Sequence, residues 1–139
     1  IANYIFGLPD DTTQSMQETL DMSLEINAEW ANFYCAMAYP GSPLYERAKS
    51  MNLPLPDDTG GPGWIGYSQH GYDSLPLPTD TLSGQDILDF RDKAFEKYFS
   101  DSSFLGMIRE KFGPSVVDHI QNLMGVKLKR RHRDEVGNA

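Results

Sequence analysis

One cysteine, Cys35, stands among 139 residues. A lone thiol excludes an internal disulfide, a zinc site built from several thiolates and an iron–sulfur cluster held by this chain alone. No apolar run approaches the ~20 residues needed to cross a bilayer. The start at Ile1 has neither the basic residues nor the long apolar core of a secretory signal, and a reducing cytoplasm suits such a composition. Bases are scarce as well, 12 against 20 acids for a net charge of −8. Five of them (Lys127, Lys129, Arg130, Arg131, Arg133) crowd into seven residues, so residues 1–126 hold 7 bases against 18 acids, a net −11. An acidic body repels nucleic acid and anionic membrane, and neither is expected as a partner. Residues 127–139 read as a solvated, disordered basic tail. His70, His119 and His132 match no metal-ligand spacing, and no phosphate-cradling loop or Gly-x-Ser-x-Gly elbow occurs, so no metal and no nucleophile is assigned.

What the chain does have is large apolar side chains, seven Tyr, seven Phe and two Trp, enough for one core at this length. It opens without methionine inside an apolar segment, as a piece of a longer protein would. Residues 2–6 read as a buried strand that stops at Gly7-Leu8-Pro9. Asp10, Asp11 and Thr12 offer cap oxygens, with Gln14 at capping-box spacing from Asp11. Met16, Leu20 and Leu24 then predict a helix to Ile26. Residues 30–37 read as a second buried strand, closed by Tyr39-Pro40-Gly41-Ser42-Pro43, with Pro43 at the first turn of another helix. Strand, helix, strand with short connections is a parallel βαβ unit. Two parallel strands make no stable sheet, and parallel sheets need both faces covered. The first fifty residues therefore read as a slice of a larger α/β barrel or open sheet.

The organisation expected is 1–52 for that slice, 53–82 for a loop, 83–126 for a helical extension and 127–139 for the tail. Between Leu53 and Thr79 ten of 27 residues are Gly or Pro, which removes any helical or strand period. Trp64, Tyr67 and Tyr72 in this loop either pack on the helices or cover the mouth of a binding site. Ser83 caps a helix to about Phe99, Gly113 stops a second that begins near Phe104, and Pro114 starts a third.

Two stretches carry a resemblance. Asn3-Tyr4-Ile5-Phe6-Gly7-Leu8-Pro9-Asp10 resembles the fifth barrel strand of radical S-adenosylmethionine (SAM) enzymes, whose pattern there is Gly-x-Ile-x-Gly-x-x-Glu. Ile5 and Gly7 match, Asp10 stands in place of the Glu, and Asn3 replaces the first Gly. Tyr39-Pro40-Gly41-Ser42-Pro43-Leu44-Tyr45 resembles the turn after the sixth strand. The loop and helical tail are similar, more loosely, to the C-terminal extension of the cobalamin-associated members.

The resemblance implies an α/β fold, the last strands of a partial (β/α)6 barrel followed by a mostly helical extension. It implies SAM and a [4Fe–4S] cluster in the full-length parent, with cobalamin as a further cofactor of that group, and the remainder of the barrel as partner. The cluster's Cys-x3-Cys-x2-Cys loop is absent here, so the chain alone is expected to be inactive. The SAM adenine wall implied is Asn3, Ile5, Gly7 and Asp10, with the backbone of Ala36, Met37 and Ala38. Ile5 would lie on the purine, Gly7 would allow close approach, and Asp10 would hold the turn. Cys35, among Phe, Tyr, Ala and Met, reads as inert core. The open sheet edge would make an isolated piece a homo-oligomer. A non-catalytic module that docks a protein through the aromatic loop or basic tail stays open as the alternative.

Overall fold

The computed structural model describes residues 1–137, with the side chains of 136 and 137 left aside. A parallel βαβ unit opens the chain: β1 (Ala2–Phe6), α1 (Thr13–Ile26) and β2 (Ala31–Cys35). The strands pair in register from Ala2 opposite Ala31 to Phe6 opposite Cys35. Successive side chains on a strand point to opposite faces, and here the two faces differ sharply. Tyr4, Phe6, Ala31, Phe33 and Cys35 are buried, whereas Asn3, Ile5 and Tyr34 are exposed. Both strands are thus covered on one face only, not enclosed as the apolar runs predicted. β2 is also shorter than the predicted 30–37, and the chain bends away after Cys35.

The cap of α1 falls one residue later than the Asp11–Gln14 spacing suggested. Thr12 accepts from Ser15 N while Ser15 Oγ accepts from Thr12 N, a reciprocal capping box. Gln14 instead reaches forward to Glu18. Asn27 in the left-handed region (φ 47°) ends the helix.

The covered face of the sheet is closed by α3 (Gly84–Phe99), which follows α2 (Pro43–Ser50) and the long loop. Ser83 and Asp86 form the capping box of α3. Ile87, Leu88, Ala94, Tyr98 and Phe99 enter the main core, with Phe90 edge-on to Phe6 at 5.1 Å and Tyr98 edge-on to Phe33 at 5.6 Å. α4 (Ser102–Phe112) and α5 (Pro114–Met124) complete that core through Phe104, Ile108, Val117 and Ile120. The turn between them sits at Gly113, whose φ of 88° suits glycine.

Residues 53–82 are folded against the body. A 3-10 turn at Gly63–Tyr67 is held by Gly63 N donating to Pro56 O and Leu75 N to Gly66 O. Tyr45 and Tyr67 both donate to Asp57. Leu55 and Leu77 join Ala38 and Ala48 in a second small core.

The expected solvated tail is the clearest correction. Residues 131–137 form α6, and Arg130 immediately before it is 0% exposed. Its guanidinium donates to both oxygens of Asp92 (2.8 and 3.0 Å), to the Gln69 and Gly71 carbonyls and to Ser74 Oγ. Arg133 bonds Asp89 and Asp92, and His132 meets Asp89 at 2.8 Å. The tail docks because its arginines answer acids placed on α3, pairings 38 to 44 residues apart in sequence. Residues 138 and 139 lie outside the described residues.

Candidate functional site

The bare face of the sheet carries two of the seven residues picked out from sequence. Asn3 and Ile5 project from it beside Asn32 and Tyr34, their register partners on β2. Asn32 Nδ2 donates to Asn3 Oδ1 at 2.9 Å, and Trp30 Nε1 donates to Asn32 Oδ1 at 3.1 Å. These bonds fix both amides. Ile5 and Tyr34 follow one step along the strands, 48% and 37% exposed. The face is therefore a polar pair leading into an apolar–phenolic pair. A flat ring can lie on such a surface, with amide donors and acceptors at its margin. Asn32 and Tyr34 were missed in the sequence. Strand alternation and parallel register, once the strand ends are known, are the signal that places them beside Ile5.

The turn at the strand's C-terminal end is set by Asp11. Its Oδ2 accepts from Gly7 N and Leu8 N, both at 2.9 Å, and its Oδ1 from Ser15 Oγ. Asp10, expected to hold this turn, is exposed and takes no such bond. Gly7 has a role in the packing of the covered side. Its φ is 80°, and a Cβ there would stand 2.7 Å from Ile87 Cγ2 on the covered side. Its missing side chain admits α3.

Over part of its length the chain is similar to a known protein. Over 55 residues it is 33% identical to an uncharacterized methyltransferase of Pyrococcus horikoshii, a match covering 40% of this chain and 12% of that protein. It is a partial homologue of that methyltransferase. No family model matches the chain, and no solved structure matches it. The matched stretch is a small share of the relative's length.

Ala36, Met37 and Ala38 lie apart from the bare face, all buried. Ala36 N donates to Phe6 O and its carbonyl accepts from Leu77 N. Both backbone groups of Ala36 are thereby spent on the fold, and Ala38 belongs to the second core under the loop. Cys35 is buried too, its Sγ 3.9 Å from the Ile87 carbonyl. Burial pushes its thiol up to about 12. A protonated thiol in apolar packing fits neither a nucleophile nor a cluster ligand.

The outer edge of β2 is sealed by side chains. Gln69 accepts from Cys35 N and donates to Cys35 O, as a neighbouring strand would, and Arg91 Nε donates to the Phe33 carbonyl at 2.8 Å. Among the described residues β1 pairs with no strand other than β2. The sheet thus has one finished edge and one unfinished edge.

Proposed function

We propose that this chain is the closing portion of a radical SAM enzyme of methyltransferase type, contributing the last two strands of its partial barrel and one wall of its SAM site. The single observation that carries the reading is the asymmetry of the sheet. A parallel βαβ unit has one face packed under α1 and α3, while the other presents Asn3, Ile5, Asn32 and Tyr34 bare. Parallel strands are normally covered on both faces, so the bare face fits the inner side of a barrel whose remaining strands add at the β1 edge. The partial likeness to a methyltransferase supports the same direction.

In this reading Ile5 lies against the adenine and the Asn3–Asn32 pair hydrogen-bonds at its margin. The reading extends to the cobalamin-associated group through the loop and helical extension. The [4Fe–4S] cluster belongs to other parts of the parent, because Cys35 does not suit it. SAM supplies the radical precursor or methyl group, and this chain's residues bind and orient it.

The test uses the full-length parent, purified without oxygen. With SAM and a reductant, 5′-deoxyadenosine should form, and Ile5→Asp should abolish it while leaving the cluster absorbance intact. A cluster-loaded parent that yields none would overturn the proposal. A second reading, docking of a protein partner, draws on Trp64, which is 74% exposed although tilted against Tyr67. Trp64→Ala would then abolish partner capture and leave nucleoside formation unchanged.

A further inference from the structure

A cavity of 420 Å³ runs along the outer edge of β2, between α3 and the segment that leaves α5. Its walls include Trp30, Tyr34, Phe95, Leu123 and Met124. One end carries arginines although the protein is acidic. Arg91, Arg130 and Arg133 there face Asp89 and Asp92, and nearby Lys127 is matched by Glu96. Among the described residues these pairs set three guanidinium groups against two carboxylates, an excess of one positive charge before either histidine is counted.

The hydrogen bonds show which donors are already spent. A guanidinium has five N–H donors. Arg130 spends all of them, on Asp92, Gln69 O, Gly71 O and Ser74 Oγ, and is structural. Arg91 spends three: Nε on Phe33 O, Nη1 on Asp92 Oδ1 and Nη2 on His70 Nε2. Arg133 uses Nε and Nη2 on Asp89 and Asp92, leaving both Nη1 hydrogens unassigned among the described residues. Asp92 already accepts from all three arginines and has no capacity left. Because Arg91 can only donate, His70 Nε2 must accept, which puts the imidazole proton on Nδ1. Burial and the charges of Arg91 and Arg130 hold His70 below its ordinary pKa, and so neutral. Arg91 and Arg133 approach opposite oxygens of Asp92 at 3.1 and 2.9 Å, and both line the cavity.

We propose that this cavity binds a small amphiphilic monoanion, an aromatic or branched-aliphatic carboxylate, with its apolar body against Trp30, Phe95 and Met124 and its carboxylate at Arg91 and Arg133. The volume lies in the range of small-molecule sites, which pair apolar walls with a few polar groups. Paired N–H donors on planar guanidiniums match a carboxylate's geometry. An excess of one positive charge selects a monoanion. The cavity meets the bare face of the sheet at Asn32 and Tyr34, but the residues that hold the carboxylate lie off that face, so the site can fail or stand without the SAM reading.

The test is an NMR titration of the 139-residue chain with indole-3-propionate and, separately, its uncharged analogue indole-3-propionamide. The acid should shift the Trp30 indole N–H and the Met124 methyl saturably. The amide should bind roughly tenfold or more weakly, the effect of losing a charge-assisted pair. Arg133→Gln should remove most of that preference. Lys93→Gln, an exposed charge on the same helix, should change neither. Equal affinity for acid and amide would overturn the proposal. So would shifts confined to other residues, or no saturation by ~10 mM, where affinity is too weak for a formed site. Concentration-dependent shifts of the same resonances without probe would assign the cavity to a second copy of the chain, and would also overturn it.

Discussion

Replacing Arg130 by methionine keeps much of the side-chain volume and removes the fully buried guanidinium. Two charge-assisted bonds to Asp92 disappear, and the Gln69 and Gly71 carbonyls lose a donor. Asp92 keeps Arg91 at 3.1 Å and Arg133 at 2.9 Å, so its charge is still answered. Asp92→Ala is worse, because it strands Arg130 with no counter-ion at all. Removing one partner of a buried pair costs about 3–5 kcal/mol. We expect Arg130→Met near the lower end, about 3 kcal/mol, and Asp92→Ala near the upper, about 5 kcal/mol. Urea unfolding gives the totals, and amide exchange at Arg131, whose N–H donates to the Tyr72 carbonyl, reports release of the tail. Acid should act in the same direction. Burial raises the Asp92 pKa, but hydrogen bonds and charge from Arg130 and then Arg91 outweigh it, and the net shift is downward. A carboxyl depressed in the fold contributes fully above its unfolded value of about 3.9, and loses that contribution as pH falls through its folded value. Exchange at Arg131 should therefore be insensitive to Asp92 from pH 8 down to about 5 and accelerate below about 4. The reasoning fails if both variants fall within ~0.5 kcal/mol of the parent, the range of an ordinary surface change, or if Asp92→Ala proves the milder.

His70 should titrate below about 6.5 and show its proton on Nδ1 in nitrogen-15 spectra. Arg91→Met should raise that pKa, and an unchanged value would mean that Arg91 does not hold the ring. Gly7→Ala should cost roughly 1–3 kcal/mol through the Ile87 contact and the left-handed φ. Ile87→Ala in the same chain should recover the contact part only, as urea midpoints of the four variants would reveal. Tyr4 Oη is buried and finds no hydrogen-bond partner among the described residues, so Tyr4→Phe should be neutral or stabilising by up to ~1 kcal/mol, and a loss above that would point to a partner for the hydroxyl. Cys35 should not react with a disulfide reagent at pH 8 until urea unfolds the chain, since burial holds its thiol protonated to about 12.

Local chemistry made much of the architecture readable in the sequence. Ser83, Gly113 and Pro114 delimit three helices because cap oxygens, positive φ and a missing N–H act within a few residues of where they stand. The βαβ order follows from two short β-favouring runs around a helical period. Ile5 and Asn3 on the bare face were likewise reachable. Asp11 was less so, because three adjacent cap-capable residues give the same pattern, and only the loop's closure chooses which carboxylate faces Gly7 and Leu8.

Short-range patterns were enough for the period and termini of the helices, the parallel sense of the two strands and the single-thiol chemistry of Cys35. Tertiary structure alone decided the fate of the charged groups. Arg91 and Asp92 sit within a helix whose other inward residues are apolar, and Arg130 sits in a basic run that composition assigns to solvent. Each such charge would be costly to bury singly. Their burial becomes tolerable only when residues tens of positions apart meet at one point. A rule that reads neighbours in sequence cannot detect that meeting, because the favourable energy belongs to the pairs.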